Sequence, residues 1–120
     1  MVTERLPPHD INAEEATNGS LLINGNAIYE IATILSANDF YHGPNRYIYD
    51  ACLTLHTENK AINQITVAQE LDRQAKLETC GGAAYLSHLI SECPTSLDIE
   101  HYAEIVYRLS QYRKLLAAGE

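Results

Sequence analysis

The chain contains 120 residues, which is the usual size of one domain and is long enough to bury a hydrophobic core. Sixteen Asp and Glu residues outnumber eight Lys and Arg residues, and the net charge of −8 argues against a chain that binds nucleic-acid phosphates by itself. No apolar run approaches the length of a membrane span, and residues 1–8 lack the apolar segment of a signal peptide. Three cysteines without a Cys-x-x-Cys pair fit a reducing compartment, so we expect a cytoplasmic protein without a membrane contact.

The N-terminal part predicts an arm followed by a helix. Residues 1–10 contain two consecutive prolines, which favour extended backbone, and we expect them to form a flexible arm. The first helix is predicted to begin after Asn12, which can cap it together with Glu15 in a capping box, and to end near residue 22. Gly19 costs about 1 kcal/mol relative to alanine inside a helix, which indicates close packing against a neighbouring element.

The middle of the chain predicts three more helices. One runs from about Ala27 to Leu35, and a short turn follows in which Phe40, the single phenylalanine, is expected to be buried. The next begins at Pro44, because proline fits the first turn of a helix. A fourth follows Asn63, which can serve as its N-cap. Apolar residues at helical spacing in the last two helices are expected to face the core: Tyr47, Ile48, Ala51, Cys52 and Leu55, then Ile65, Ala68 and Leu71.

Two further helices complete the predicted fold. A fifth helix follows the Gly81-Gly82 break and ends at Pro94. Its inward residues are expected to be Ala83, Leu86, Leu89 and Ile90. The sixth and longest helix runs from about Ile99 to Ala118, with Asp98 or Ser96 as its cap. Residues 11–120 are therefore predicted to form an all-α domain, a compact bundle of about six short helices that ends in a longer helix.

The last helix carries more apolar residues than one narrow stripe requires, so we expect it to contact both its own core and a partner. The chain also contains eight tyrosines, a residue type that suits partner contacts because an apolar ring carries a polar tip. The residues predicted to contact a partner or a second copy are Tyr85, Tyr102, Ile105, Leu109, Tyr112 and Leu116.

Sequence motifs of the common enzyme classes are absent: there is no P-loop, no dinucleotide fingerprint and no nucleophile elbow. Cys52 and His56 lie one helical turn apart, but a metal site needs three or four ligands, so we expect a core thiol beside an exposed histidine. Glu14 and Glu15 are explained by the favourable helix dipole in a first turn. We therefore expect no catalytic, cofactor-binding or metal-binding residue. A small metal-dependent or thiol enzyme is the less favoured alternative.

A series of short motifs resembles the N-terminal domain of DnaB-type replicative DNA helicases. The motifs follow one another in the order and spacing of that family: Leu6-Pro7-Pro8, Ala13-Glu14-Glu15-Ala16, Asp39-Phe40-Tyr41, Arg46-Tyr47-Ile48-Tyr49, Gly81-Gly82-Ala83-Ala84-Tyr85-Leu86 and Tyr102-Ala103-Glu104-Ile105-Val106. The resemblance covers about residues 6–118. Asn63 stands where the family usually has Asp, but both residues cap helices, so the role is kept.

The resemblance implies a non-catalytic domain of a larger helicase. In that family, six such domains form a collar on one side of the hexamer and dock the C-terminal domain of primase. The last helix resembles the first helix of the family's hairpin, which builds dimer contacts, and Tyr85 matches a tyrosine in the region linked to primase. ATP and Mg would bind the family's C-terminal ATPase domain, which we do not find in this chain, so we expect no cofactor here. The alternative is a freestanding adaptor or inhibitor of the same fold that binds helicase or primase.

Overall fold

The computed structural model describes residues 6–94 and 98–119. Over this part of the chain the secondary structure is entirely helical, which confirms the predicted all-α class. Two single 3₁₀ turns, Gly25–Ala27 and Ala37–Asp39, supplement the α-helices. The α-helices are α1 (Ile11–Ile23), α2 (Ile28–Ile31), α3 (Gly43–Thr57), α4 (Gln64–Arg73), α5 (Gly82–Glu92) and α6 (Ile99–Ala118).

Helix α1 lies at the centre of the bundle. It packs most extensively against α5 and α6, and it also contacts α3 and α4. A Cβ atom on Gly19 would lie 2.5 Å from the carbonyl oxygen of Leu89 on α5, so only glycine permits this approach. The expectation that Gly19 marks close packing is confirmed. The surrounding core includes fully buried residues of every other long helix, among them Ile48, Leu71, Leu86 and Ile99.

The cap of α1 differs from the predicted one. Asp10, and not Asn12, is the N-cap, and its side chain accepts a hydrogen bond of 3.0 Å from the Ala13 backbone N–H. Asn12 lies within the helix and is exposed. Glu15 therefore falls two residues too late for a capping box, and its carboxylate lies 3.0 Å from the Tyr85 hydroxyl of α5 instead. The prediction was wrong because an aspartate two residues earlier competes for the same role.

Helix α2 is shorter than predicted, since it ends at Ile31 and not at Leu35. The Leu35 carbonyl accepts a 2.8 Å hydrogen bond from the Tyr49 hydroxyl, and the Ser36 N–H donates to the Asp39 carboxylate at 2.8 Å. These side chains replace the backbone bonds that would continue the helix. The turn that follows buries Phe40 completely, as expected.

Helices α3 and α4 follow the predicted pattern with one exception. Asn63 caps α4 by accepting hydrogen bonds from the Ile65 and Thr66 N–H groups at 2.9 and 3.0 Å, which confirms its role. Ile65, however, is 70% exposed, and Val67 is buried in its place. Ile65 sits in the first turn of α4, where the helical spacing fits either face, so spacing alone could not orient it.

The last two helices begin and end close to the predicted residues. Gly81 and Gly82 have φ angles of +99° and +70°, which explains the glycine pair before α5. Ala83 was expected to face the core, but it is exposed: it lies in the first turn of α5, and the buried stripe begins one turn later at Leu86 and Leu89. Asp98 occupies the N-cap position of α6, and Ser96 lies outside the described residues. Within the described ranges, no helix is both long and apolar enough to cross a membrane.

Candidate protein-interaction site

An open groove of about 480 Å³ lies between the start of α1, the end of α5 and the first half of α6. Its floor is apolar and contains side chains such as Ala16, Leu89 and Ile105. Its rim carries carboxylates and a histidine: Asp10, Glu15, Glu92 and His88. Lysine and arginine are not found among the lining residues that the structure describes. This surface, called the acidic groove below, combines negative charge with apolar area and therefore suits a basic, partly apolar ligand.

Tyr85 lies beside one of the groove carboxylates. Its hydroxyl oxygen lies 3.0 Å from Glu15 Oε2 and 2.8 Å from Asn45 Oδ1, and its single proton is available to either acceptor. The ring stacks on His88, with centroids 5.9 Å apart, and His88 Nε2 lies 3.8 Å from Glu15 Oε2. Burial, and then the negative charge of Glu15, raise the pKa of Tyr85. Tyr85 therefore stays neutral and acts as a donor beside the groove.

The predicted contact residues of α6 share one face. Tyr102, Ile105, Leu109, Tyr112 and Leu116 alternate in steps of three and four residues. Tyr102 and Ile105 line the acidic groove, Leu109 is half-buried, and Tyr112 and Leu116 are 51% and 60% exposed. We call this set the outer face of α6.

A second set of α6 residues is buried against the body: Ile99, Ala103, Val106 and Ser110. The two stripes are offset by one residue, about 100° around the helix. As expected, α6 has two apolar surfaces: one is buried against the body of the domain, and the other is the outer face. The assignment of the outer face to a partner stays a prediction.

Glu14 is the polar residue whose role the sequence did not reveal. It was interpreted as a first-turn charge, but its side chain is 1% exposed and reaches the start of α3. It accepts hydrogen bonds from the backbone N–H groups of Tyr41 at 2.7 Å and His42 at 3.1 Å, and a longer one from the Asn45 side chain at 3.4 Å. Glu14 thus fixes α3 against α1 next to the groove residues Ala13 and Glu15, and Asn45 connects it to Tyr85.

The cysteines do not form a reactive cluster in the described part of the chain. Cys52 and Cys80 are buried and Cys93 is half-buried, and all three are free thiols. Burial raises the pKa of Cys52 to about 12, so it is protonated at neutral pH. His56 was expected to be exposed, but it is half-buried because it packs edge-on against Tyr29, with centroids 4.9 Å apart. Among the described residues, no three His, Cys, Asp or Glu side chains lie together as metal ligands would.

The described part of the chain is a small helical domain with six α-helices, an acidic groove and a last helix that has two apolar faces. Residues 6–108 match the DnaB-like helicase N-terminal domain family, and the chain belongs to that family. It is 36% identical over 116 residues to the replicative DNA helicase DnaB of Leifsonia xyli subsp. xyli. That match covers 97% of this chain but only 25% of the relative, so the chain spans a quarter of that helicase's length.

Two solved structures have the same fold. The N-terminal domain of DnaB helicase from Mycobacterium tuberculosis matches with a TM-score of 0.92 at 38% identity, covering 95% of this chain and 81% of that one. The N-terminal domain of DnaB helicase from Helicobacter pylori, described together with its interactions with primase, matches with a TM-score of 0.74 at 25% identity, covering 90% and 84%.

Family membership also bears on catalysis. The N-terminal domain of DnaB is a non-catalytic domain, and the ATPase activity of the helicase lies in its C-terminal part. The expectation that this domain is not itself an enzyme is confirmed by that membership.

Proposed function

We propose that this chain is the interaction domain of a replicative DNA helicase, that it joins its copies in the collar of the hexamer, and that it docks the C-terminal domain of primase. The observation that carries the proposal is one surface with two parts. The outer face of α6 begins inside the acidic groove at Tyr102 and Ile105 and continues to the exposed Tyr112 and Leu116. Nothing in such a surface performs a reaction, but each part suits a protein contact.

The acidic groove is the proposed primase site. Its rim carboxylates attract a basic surface, its floor accepts apolar side chains, and the Tyr85 hydroxyl lies within hydrogen-bond distance of Glu15. The Helicobacter pylori relative, whose N-terminal domain is described with primase, supports a partner of this class. The chain's net charge of −8 makes direct binding of this domain to nucleic acid unfavourable, because nucleic acid is also negatively charged.

Calorimetry with the C-terminal domain of a primase tests the docking proposal. Glu15→Gln keeps the size of the side chain and removes its charge, and we expect it to weaken binding about tenfold, because a partly buried charge pair contributes about 1–2 kcal/mol. Glu104→Gln is the matched control, since Glu104 is an exposed carboxylate on a different face of α6. Binding that is equally strong in both variants, or no heat with either folded protein, contradicts the proposal.

The exposed end of the outer face is the proposed self-association site. Leu116→Glu places a charge where two helices would meet, and we expect it to shift the protein to monomers in sedimentation velocity. Ile65→Glu is the control, because Ile65 on α4 is 70% exposed but lies outside the outer face. An unchanged association state in Leu116→Glu, or the same loss in the control, contradicts a specific role for this face.

A native protein near 13 kDa would favour a freestanding adaptor of the same fold over a helicase fragment. An immunoblot of source-cell lysate distinguishes the two, since the curated relative is about four times as long as this chain.

A further inference from the structure

Three of the five described residues before α1, namely Leu6, Pro7 and Pro8, lie beside the C-terminal half of α6. The ring of His9 stacks on Tyr41, with centroids 4.1 Å apart and planes inclined by 16°. Leu6, Pro7 and Pro8 line one side of a cleft whose other side is the end of α6, including Leu116. This stretch, residues 6–10, is called the strap below. Its contacts leave no local sign in the sequence, because they join residues far apart along the chain, 105 positions in the case of Pro8 and Arg113.

Arg113 connects the strap to the body of the domain through two hydrogen bonds. Its Nη1 donates to the Pro8 carbonyl at 2.8 Å, and its Nη2 donates to the Asp39 carbonyl at 2.6 Å. The guanidinium carbon also lies 5.6 Å from the centre of the Tyr41 ring. A guanidinium presents several donors in a fixed plane, so one side chain can hold two carbonyls at once, whereas an ammonium group is a compact point charge on a flexible stem.

Arg113 lies in the last turn of α6 that contacts the body, and the next residue, Lys114, has its ammonium 3.8 Å from the Asp39 carboxylate. Ser110 donates to the Asp39 carboxylate at 2.7 Å, and one turn later Arg113 makes its two bonds. Residues 114–118 are all exposed. A helix end with few buried contacts opens at low free-energy cost, so the contacts at 110–113 decide how far the ordered part of α6 extends.

We infer that residues 6–10 are a strap that locks the C-terminal half of α6 through Arg113, and that release of the strap loosens this half of the helix. Because the outer face of α6 ends in the same turns, the strap sets whether Tyr112 and Leu116 are presented on a rigid helix. The coupling acts in both directions, since a contact shared by two segments stabilises each of them. The inference concerns the chain's own conformation and does not depend on which partner binds.

Hydrogen exchange read by mass spectrometry tests the inference. The proteins compared are the unaltered chain, a chain that begins at Asp10 and so keeps the α1 cap, Arg113→Lys, and Arg108→Lys as a control on an exposed arginine of the same helix. We expect amides 110–116 to exchange about tenfold faster in the shortened chain and in Arg113→Lys, since each loses a charge-assisted hydrogen bond. Arg108→Lys and the amides of α4 keep their rates.

Two outcomes overturn the inference. If the exchange rates of amides 110–116 in the shortened chain stay within twofold of those in the unaltered chain, the strap lies on α6 without locking it. Equal acceleration in α4 shows a general loss of stability instead of local release. If the shortened chain does not fold, His9→Ala decides the question, because it removes the stack on Tyr41 and leaves Arg113 unchanged: faster exchange confined to 110–116 supports the strap, and unchanged exchange there contradicts it.

Discussion

The carboxylate of Glu14 on α1 accepts the backbone N–H of Tyr41 at 2.7 Å, across 27 positions of sequence. The same carboxylate accepts the N–H of His42, the residue that precedes α3, at 3.1 Å. A side chain from one helix thereby satisfies donors at the start of another, which is a role that a local N-cap residue usually fills. This bond ties the central helix to the segment that carries Phe40 into the core.

Glu14→Gln is expected to lower the free energy of unfolding by about 2–4 kcal/mol. The amide that replaces one oxygen brings N–H groups against backbone N–H donors, so at least one buried donor loses its partner. Urea denaturation followed by circular dichroism measures the change. Glu104→Gln, on an exposed position, is expected to stay within about 0.5 kcal/mol. A Glu14→Gln protein as stable as this control contradicts the structural role of Glu14.

Gly19→Ala is expected to destabilise the fold by about 1–3 kcal/mol, although alanine favours a helix by about 1 kcal/mol over glycine. The new Cβ would lie 2.5 Å from the Leu89 carbonyl oxygen, so α1 and α5 must move apart. Gly43→Ala is the matched control, because no described atom lies within 4 Å of its added Cβ. Thermal melts of both variants decide the point, and an equal or higher melting temperature for Gly19→Ala contradicts the close packing.

Stability is expected to fall as the pH rises above about 9, because Cys52 must stay protonated in the folded state. Its pKa is raised by burial to about 12, against an ordinary value of 9.0 in the unfolded chain. Below pH 9 both states hold the proton and the stability is complete. Between 9 and 12 the unfolded state releases it first, so the free energy of unfolding falls by up to about 1.4 kcal/mol per pH unit.

Urea denaturation between pH 7.5 and 10 measures this slope. Burial also raises the pKa of Cys80, which acts in the same direction, so Cys52→Ala is expected to flatten the slope without abolishing it. Cys93→Ala, which replaces the half-buried thiol, serves as the control. A Cys52→Ala protein with the full slope of the unaltered chain contradicts the assignment to Cys52.

Charges placed on the two faces of α6 are expected to have different effects. Val106 is 2% exposed and belongs to the buried stripe, so Val106→Asp puts an unpaired charge into the core at a cost of several kcal/mol and prevents stable folding. Leu109 is half-buried on the outer face, so Leu109→Asp keeps the helix content and weakens self-association. Circular dichroism and sedimentation velocity separate the two results. Equal unfolding in both variants contradicts the two-face description.

Several helices could be predicted from the sequence because their signals are local. The stripe of α3, the Asn63 cap and the bounds of α6 depend on spacing and on side chains within a few residues. The end of α2 could not be predicted in this way. It is set by Tyr49, which donates to the Leu35 carbonyl from fourteen positions away. The choice of Asp10 as cap was a local signal that was assigned to the wrong residue.

The candidate site was predictable to a smaller extent. The outer face of α6 follows from its three-and-four spacing, and Tyr85 from the motif after the glycine pair. The groove itself was not predictable, because Asp10, Glu15, His88 and Glu92 come from two helices that meet only in the fold. The buried role of Glu14 was not predictable, because its partners are in α3 and the turn before it.

The most direct test of the account is a hydrogen-exchange footprint of this domain with the C-terminal domain of a primase. The account predicts that protection on binding is concentrated in the first two turns of α1, the second half of α5 and the first half of α6, which together form the acidic groove. Protection centred instead on the cleft beside Tyr29 and His56, or no protection with both proteins folded, would contradict the proposal that this groove docks primase.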